Sequence, residues 1–596
     1  MNTLTSTPSS GAPIHSPSLG IRNAPRTIGA LLLTVAIPLG LTAQQQRPPT
    51  PQAPPAIRET PRPPGPGTPP PPGAVMPTPP PARPAAPEFR SWDGRGNNRA
   101  NATWGSASTA YLRETSGAAY ADGVSAPAGA RRPSARVISN ALSAQGDAVT
   151  ADPRGLSTAI YEFGQFLDHD LGLAQSGSGK RFDIPVPRGD AYFDPKATGT
   201  AVIPLTRSAS DPTTGARSPR QQVNGVTAFI DASHIYGSSA DRAAWLRTFS
   251  GGRLKSRSTA LGELLPLNDG TQSNDNPLGL PATALIVAGD VRANEQPGLT
   301  TLHTVFLREH NLQAARLATQ HPDWNDERLY QEARRWVTAE FQSITVNEFL
   351  PALLGHRLPP YKGYNPRINP GIGNTFATAA YRFGHSQVGP DIGILNESFV
   401  EIHNVGLAEA FFNPQVIPAI GGIDPIVRYM AANHAESVDT WVVDPLRNFL
   451  FGPPGAGGLD LAALNIQRGR DHGLGSYNTV RSDFGLPRVR SFRQITSDPE
   501  LAAALQSLYR SVDEVDAWIG LLSEDPVPGG SVGITTDAVI TDQFRRLRDG
   551  DRFWYENAGF DPRELAMLNR VTLGEIVARN STVQGLQPSI FFVRQP

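Results

Sequence analysis

The sequence predicts a mainly α fold: a single large domain of many helices joined by long loops, with little β-structure. Apolar residues recur at helical spacing over Ile160–Gln175, Thr301–Thr319, Asp326–Leu350 and part of Asp460–Val480. Each such stretch buries one stripe against a shared core. Strand-like alternation is scarce, and glycine and proline punctuate long connections such as Arg181–Gln222. The chain has 596 residues, 39% of them hydrophobic, and no cysteine. The core must therefore be large enough to hold without disulfides, and no metal here is bound by thiolate.

The first segment is expected to be an address. Arg22 and Arg26 precede an apolar run, Ile28–Leu41, that ends at Leu41-Thr42-Ala43. A basic region, a short apolar core and small residues at a cut site describe a secretory signal over residues 1–43. Fourteen apolar residues are too few for an ordinary transmembrane helix, so no stable membrane insertion is expected. A linker over residues 44–88 follows, with 19 prolines between Pro48 and Pro87, a composition that favours extended polyproline spacers. The folded domain then spans residues 89–596, and the protein is expected to be secreted, periplasmic or extracellular. Net charge is -1, which excludes a global field for nucleic acid.

The most informative helix reads IYEFGQFLDHDLGLAQ from Ile160. His169 stands between Asp168 and Asp170, and successive helix residues point about 100° apart, so the three cannot bind one ion together. They have separate tasks, and Gln165 shares the face of His169. Further on, NGVTAFIDASHIYG (Asn224–Gly237) offers oxygens on Thr227, Asp231 and Ser233 and a backbone carbonyl at Phe229. Spacing by two along an extended loop puts these on one side. Hard oxygen donors suit calcium, with Asp170 as the missing carboxylate. By the same alternation His234 points away.

AGDVRANE (Ala288–Glu295) places Arg292 and Glu295 three apart, within reach of one pocket. YRFGH (Tyr381–His385) and ALNIQRGRDHGLGSYN (Ala463–Asn478) follow; the second is read as a charge-crowded loop in which Arg468 meets an anionic cofactor group. GDRFWYE (Gly550–Glu556) and Trp518 are read as packing residues. His303, His310 and His472 are read as structural.

Together these stretches, in this order, resemble the animal-type haem peroxidase superfamily, bacterial peroxinectin-like members in particular, from about Arg90 to the C-terminus. The resemblance implies an enzyme that reduces hydrogen peroxide and oxidises halides, pseudohalides or small phenols. It makes His169 the distal histidine, Arg292 the distal arginine and Gln165 the distal glutamine. It makes His385 the ligand of haem iron, Asn465 the amide that accepts its outer N–H, and Arg468 and Arg382 basic residues beside the cofactor. Asp168 and Glu295 match carboxylates that form ester bonds to a haem b-derived group. Asp170, Thr227, Phe229, Asp231 and Ser233 match calcium ligands.

The residue types suit that chemistry. Peroxide must lose a proton, which a neutral His169 can take and return to the departing oxygen. Arg292 can stabilise charge as the O–O bond breaks. Gln296 stands where some mammalian members carry a methionine that makes a third haem link, so that link is not expected. Two rival readings are a cyclooxygenase-like fatty-acid dioxygenase and an adhesion protein. The first needs a tyrosine three residues before His385, where this chain has Arg382. The second rests on Arg188-Gly189-Asp190, an integrin-type tripeptide.

Overall fold

A computed structural model describes residues 88–453 and 458–594; the expected leader, and all of the expected linker but Glu88, lie outside them. Helix accounts for 39% of the described residues and strand for 11%. The strands form five separate two-stranded antiparallel ribbons rather than a continuous sheet. The core is therefore built by helix against helix.

Six helices position the site: α1 (Ala159–Leu171), α2 (Pro297–Gln320), α3 (Asp326–Ile344), α4 (Asp424–Ala432), α5 (Leu461–Asp471) and α6 (Ile534–Asp549). In α1 the predicted stripe Ile160, Phe163, Leu167 and Leu171, together with Phe166, is fully buried. The helix stops before Gln175 because Gly172 turns extended at φ -151°, ψ 138°. α2 opens with Pro297, whose missing N–H costs nothing at a helix start. α3 is capped by the Asn325 side chain, and Asp326 and Glu327 oppose its dipole.

The periodicity that predicts one helix from Asp326 to Leu350 meets a break. The ladder widens into a π turn over Thr345–Phe349 and resumes as Leu350–Leu354. Pro351 has no N–H with which to continue it.

Aromatic rings lock α1 to its neighbours. Phe163 and Phe341 lie 5.3 Å apart, Phe166 and Phe306 5.3 Å, and Phe166 and Phe341 5.7 Å. Each buried ring contributes about 1.5–3 kcal/mol. Where α2 meets α1, a Cβ on Gly298 would run into the Glu162 carboxylate, so that side chain would have to shift for any other residue there.

The charges of Ala463–Asn478 are not a loop. Those up to Asp471 sit in α5 and tether distant chain. Arg470 pairs with Asp516 at 2.7 Å and Asp471 with Arg207 at 2.5 Å. The integrin-type tripeptide is also spoken for. Asp190 is buried and paired with buried Arg136 at 2.8 Å, and Asn140 donates to it as well. Its carboxylate is not presented to a partner, which removes the residue-level support for adhesion.

Candidate active site

One cleft of about 310 Å³ brings together α1, the loop before α2 and the turn that carries His385. That lies at the lower end of the ~300–1,000 Å³ of ordinary small-ligand pockets. Gln165, Asp168, His169, Arg292 and Glu295 line it alongside Arg382 and His385. Seven of the predicted site residues, from three separate stretches of sequence, thus meet in one space. Apolar groups complete the wall, among them Ile392, Leu407, Phe411, Leu450 and Leu464.

On the α1 side His169 is 3% exposed. Its Nε2 lies 3.8 Å from Glu295 and its Nδ1 3.7 Å from Asp290. Burial pushes the imidazole well below its usual range, with Arg292 adding to the effect, so it is neutral and able to accept a proton. Asp290 is the residue that sequence reasoning missed, although it lies inside the motif, two before Arg292. It receives Arg292 Nε at 2.8 Å and Nη2 at 2.9 Å, and its oxygen also takes the Arg292 backbone N–H. Burial alone would raise its carboxyl, but the Arg292 charge and hydrogen bonds hold it well below the ordinary value. Arg292 Nη2 also donates to the carbonyl of Gly172 at 2.9 Å, which ties it to the end of α1.

Both candidate ester carboxylates face the cleft. Burial pushes Glu295 up to about 7, against the opposing charge of Arg292, and raises Asp168 by the same causes. Asp168 lies 3.8 Å from Arg292 Nη1.

The opposite side is a 3-10 run, Ala380–Ser386, in which Arg382 departs from helical angles (φ -97°, ψ 15°). Burial pushes the His385 imidazole down to about 3, reinforced by the charge of Arg382. The side-chain amide of Asn465, on α5, meets His385 Nδ1 at 2.7 Å as expected. Its oxygen accepts from Arg382 Nη1 at 2.9 Å, so the amide bridges the two. Arg468 does not line the cleft. It donates to the carbonyl of Thr206, to Ser208 and to Asp471 from behind the wall.

The oxygen-rich loop lies behind α1. Asp170 accepts the backbone N–H groups of Asp231, Ala232 and Ser233 and the Ser233 hydroxyl. Thr227 donates to Asp231 at 3.0 Å. Phe229 is buried in the same loop. Asp170 and Asp231 are both buried, and Asp231 Oδ2 has no hydrogen-bond partner. Burial and the nearby Asp170 push the Asp231 carboxyl up to about 7. An orphaned carboxylate oxygen beside a second buried carboxylate fits a hard cation. Among the described residues no group of three or more His, Cys, Asp or Glu could hold a metal, so such a cation would rely on hydroxyl and carbonyl oxygens as well.

His234 does not point away from this loop; its Nδ1 is 3.2 Å from Asp170. Alternation fails because Ala232 is left-handed (φ 61°) and Ser233 opens a helical turn. Asn224, also unremarked in the sequence, clamps loop to helix. Its Nδ2 donates to the Leu171 carbonyl and its oxygen accepts the Leu173 N–H, both at 2.8 Å. His310, bonded to Tyr236 and the Gly252 carbonyl, is structural as expected; so is His472, bonded to Asn374 and Ser208.

The Animal haem peroxidase family model matches residues 89–591. The chain belongs to the animal haem peroxidase family. It is 37% identical over 519 residues to Peroxinectin A of Dictyostelium discoideum, covering 85% of this chain and 96% of that protein. The fold agrees with solved Peroxidase A from Dictyostelium discoideum at a TM-score of 0.79, with 36% identity, 85% of this chain and all of that one covered. Fatty acid alpha-dioxygenase of Oryza sativa shares the fold at a TM-score of 0.70 and 19% identity, over 85% of this chain and 87% of that one. The chain is thus a haem-dependent peroxidase enzyme of mainly helical fold. The two-histidine cleft is of a kind suited to haem: a neutral base on one wall, a neutral imidazole on the other, and acids and guanidinium groups at the edges.

Proposed function

We propose that the protein reduces hydrogen peroxide at the His169 side of the cleft and oxidises small anions (halide or pseudohalide) or phenols there, with His385 as the iron ligand. Haem, when bound, supplies a redox-active iron at which the peroxide O–O bond is broken. His169 Nε2 takes the proton that peroxide must lose and hands it to the departing oxygen. Its neutrality, set by burial, keeps that nitrogen available. Arg292, aimed by Asp290, stabilises charge that develops on the departing oxygen. Asp168 and Glu295 are the candidates for ester links to the haem rim. Burial raises both carboxyls, which favours their uncharged form beside an apolar macrocycle. Arg382 offers a cation to a haem propionate.

Calcium is proposed at Asp170, Thr227, Phe229, Asp231 and Ser233. Because Asp170 is two residues from Asp168 and adjacent to His169, an ion there would fix the end of α1 that carries the proton acceptor. Export is proposed from the basic, apolar and small-residue order of residues 1–43. No described helix is long and apolar enough to cross a membrane.

The observation that carries this reading is the convergence of His169 and His385 on one cleft from distant parts of the chain. The test is steady-state kinetics of haem-loaded protein with peroxide and bromide, iodide, thiocyanate or a phenol. Oxygen uptake on linoleate, with no peroxide-dependent oxidation of any of these, would favour the dioxygenase instead. Against that rival, Arg382 occupies the place three before His385, and Tyr381 is packed on Phe376 at 4.7 Å.

A further inference from the structure

A chain of three side chains runs from the start of α2 into the cleft, and its polarity can be fixed at one end. Gln296 Oε1 accepts the backbone N–H of Gly298 at 2.6 Å, which makes it the cap of α2. That bond decides which way the amide faces, because a backbone N–H can only donate. Gln296 Nε2 must therefore point the other way, and it donates to two acceptors: an oxygen of Glu162 and Gln165 Oε1, the second at 3.1 Å. Gln165 is one of the groups that line the cleft beside His169. With its oxygen engaged by Gln296, Gln165 is left with only its NH2 to offer to the cleft.

Glu162 anchors the other side of Gln296. It is 2% exposed, and its carboxylate lies directly against Gly298 at the start of α2. A glutamate there accepts from Gln296 whether or not it carries a proton. No role for Glu162 or Gln296 follows from the peroxide chemistry itself.

We propose that Gln296 and Glu162 are positioning residues that fix the Gln165 amide with its N–H toward the cleft, so that the site recognises small anionic reductants over neutral ones. The inference rests on the reading that the His169 wall is where donors react. A hydrogen-bond donor beside His169 and Arg292 favours an anion; a carbonyl oxygen there would repel it. Turning Gln165 over would set its NH2 against Gln296 Nε2, two donors facing each other. The anchored polarity thus travels from a helix cap to the substrate side through two amides.

The test uses haem-loaded full-length protein and the variants Gln296→Leu, Glu162→Leu and Glu162→Gln. Gln296→Leu removes the donor to Gln165. The KM for bromide and for thiocyanate should rise about tenfold, the lower end of what one hydrogen bond to a charged group contributes. The kcat at saturating anion, and both constants for a neutral phenol, should stay within about twofold. Glu162→Leu leaves the cap intact and should raise the anion KM by less. Glu162→Gln keeps an acceptor oxygen for Gln296 and should restore the value of the unaltered protein. If Gln296→Leu does not fold, Glu162→Leu against Glu162→Gln carries the test. An unchanged anion KM, or equal losses with anion and phenol, overturns the proposal. Absence of peroxidase activity in the unaltered protein strikes the underlying reading instead.

Discussion

The two walls of the cleft are built differently. His169 rides on a 13-residue helix locked by a Phe cluster and by a buried ion network. His385 rides on a seven-residue 3-10 run with one residue off helical angles, held by Asn465, by the Trp518 indole N–H on the Arg382 carbonyl and by Tyr381 stacked on Phe376. A proton acceptor has to keep one geometry through turnover. A metal ligand draws part of its order from the metal, so a short turn suffices. The first wall should fail gradually as its supports are removed, and the second all at once.

The largest effect should follow from His385→Ala. Stable haem binding should be lost, read as absence of a Soret band after reconstitution and gel filtration. His169→Ala should keep haem and slow the reaction with peroxide by about 10²–10⁴-fold, the span for a lost general base. Next in size is Asp290→Asn. It leaves Arg292 without its charged tether, so stopped-flow rates with peroxide should drop while the haem content of the purified protein holds. Equal losses in the Asp290→Asn and His385→Ala proteins would erase the distinction between the walls.

Most of the fold and much of the site were legible in the sequence, for a physical reason. Helical stripes and short motifs report residues that act where they stand, so Gln165, Asp168, His169, Arg292, Glu295 and His385 could be read from local pattern and resemblance together. What escaped depends on local backbone geometry or on partners that the pattern of residue types does not show. Asp290 reads as an ordinary acid until Arg292 folds back onto it. Asn465 also bonds Arg382, 83 positions earlier, which no local pattern shows. The orientation of His234 turns on one left-handed residue, Ala232, that no alternation rule foresees. The charges of Arg470 and Asp471 read as crowding a loop because their partners Asp516 and Arg207 were invisible from the motif.

Smaller effects should sharpen the contrast. Asp168→Ala with Glu295→Ala should make haem extractable by acidified acetone without preventing its binding; equally easy extraction from the unaltered protein would remove the ester links. Asp170→Ala or Asp231→Ala should lower bound calcium, read by atomic absorption, and then activity, because the loop braces α1. Calcium content unchanged in both would count against the site.

The smallest effect is on pH. Glu162, pushed up to about 8, and Glu295, pushed up to about 7, bind protons more tightly folded than unfolded. Their contribution to stability is full below about pH 4.5 and is lost as pH rises through 7 to 8. His385, pushed down to about 3, works in the opposite sense: its contribution is present above about pH 6.5 and lost as pH falls toward 3. The melting temperature of haem-free protein should therefore peak in mildly acidic solution. Glu162→Gln should flatten the alkaline side of that curve and leave the acidic side alone.

The most direct measurement is a haemin titration of three apoproteins (unaltered, His169→Ala and His385→Ala), followed by Soret absorbance and then by reaction with peroxide. The unaltered and His169→Ala proteins should both take up haem, and only the unaltered one should react fast with peroxide; His385→Ala should not hold haem. Tight, spectrally normal haem in His385→Ala, or loss of haem in His169→Ala alone, would show that the assignments of the two walls are reversed or wrong.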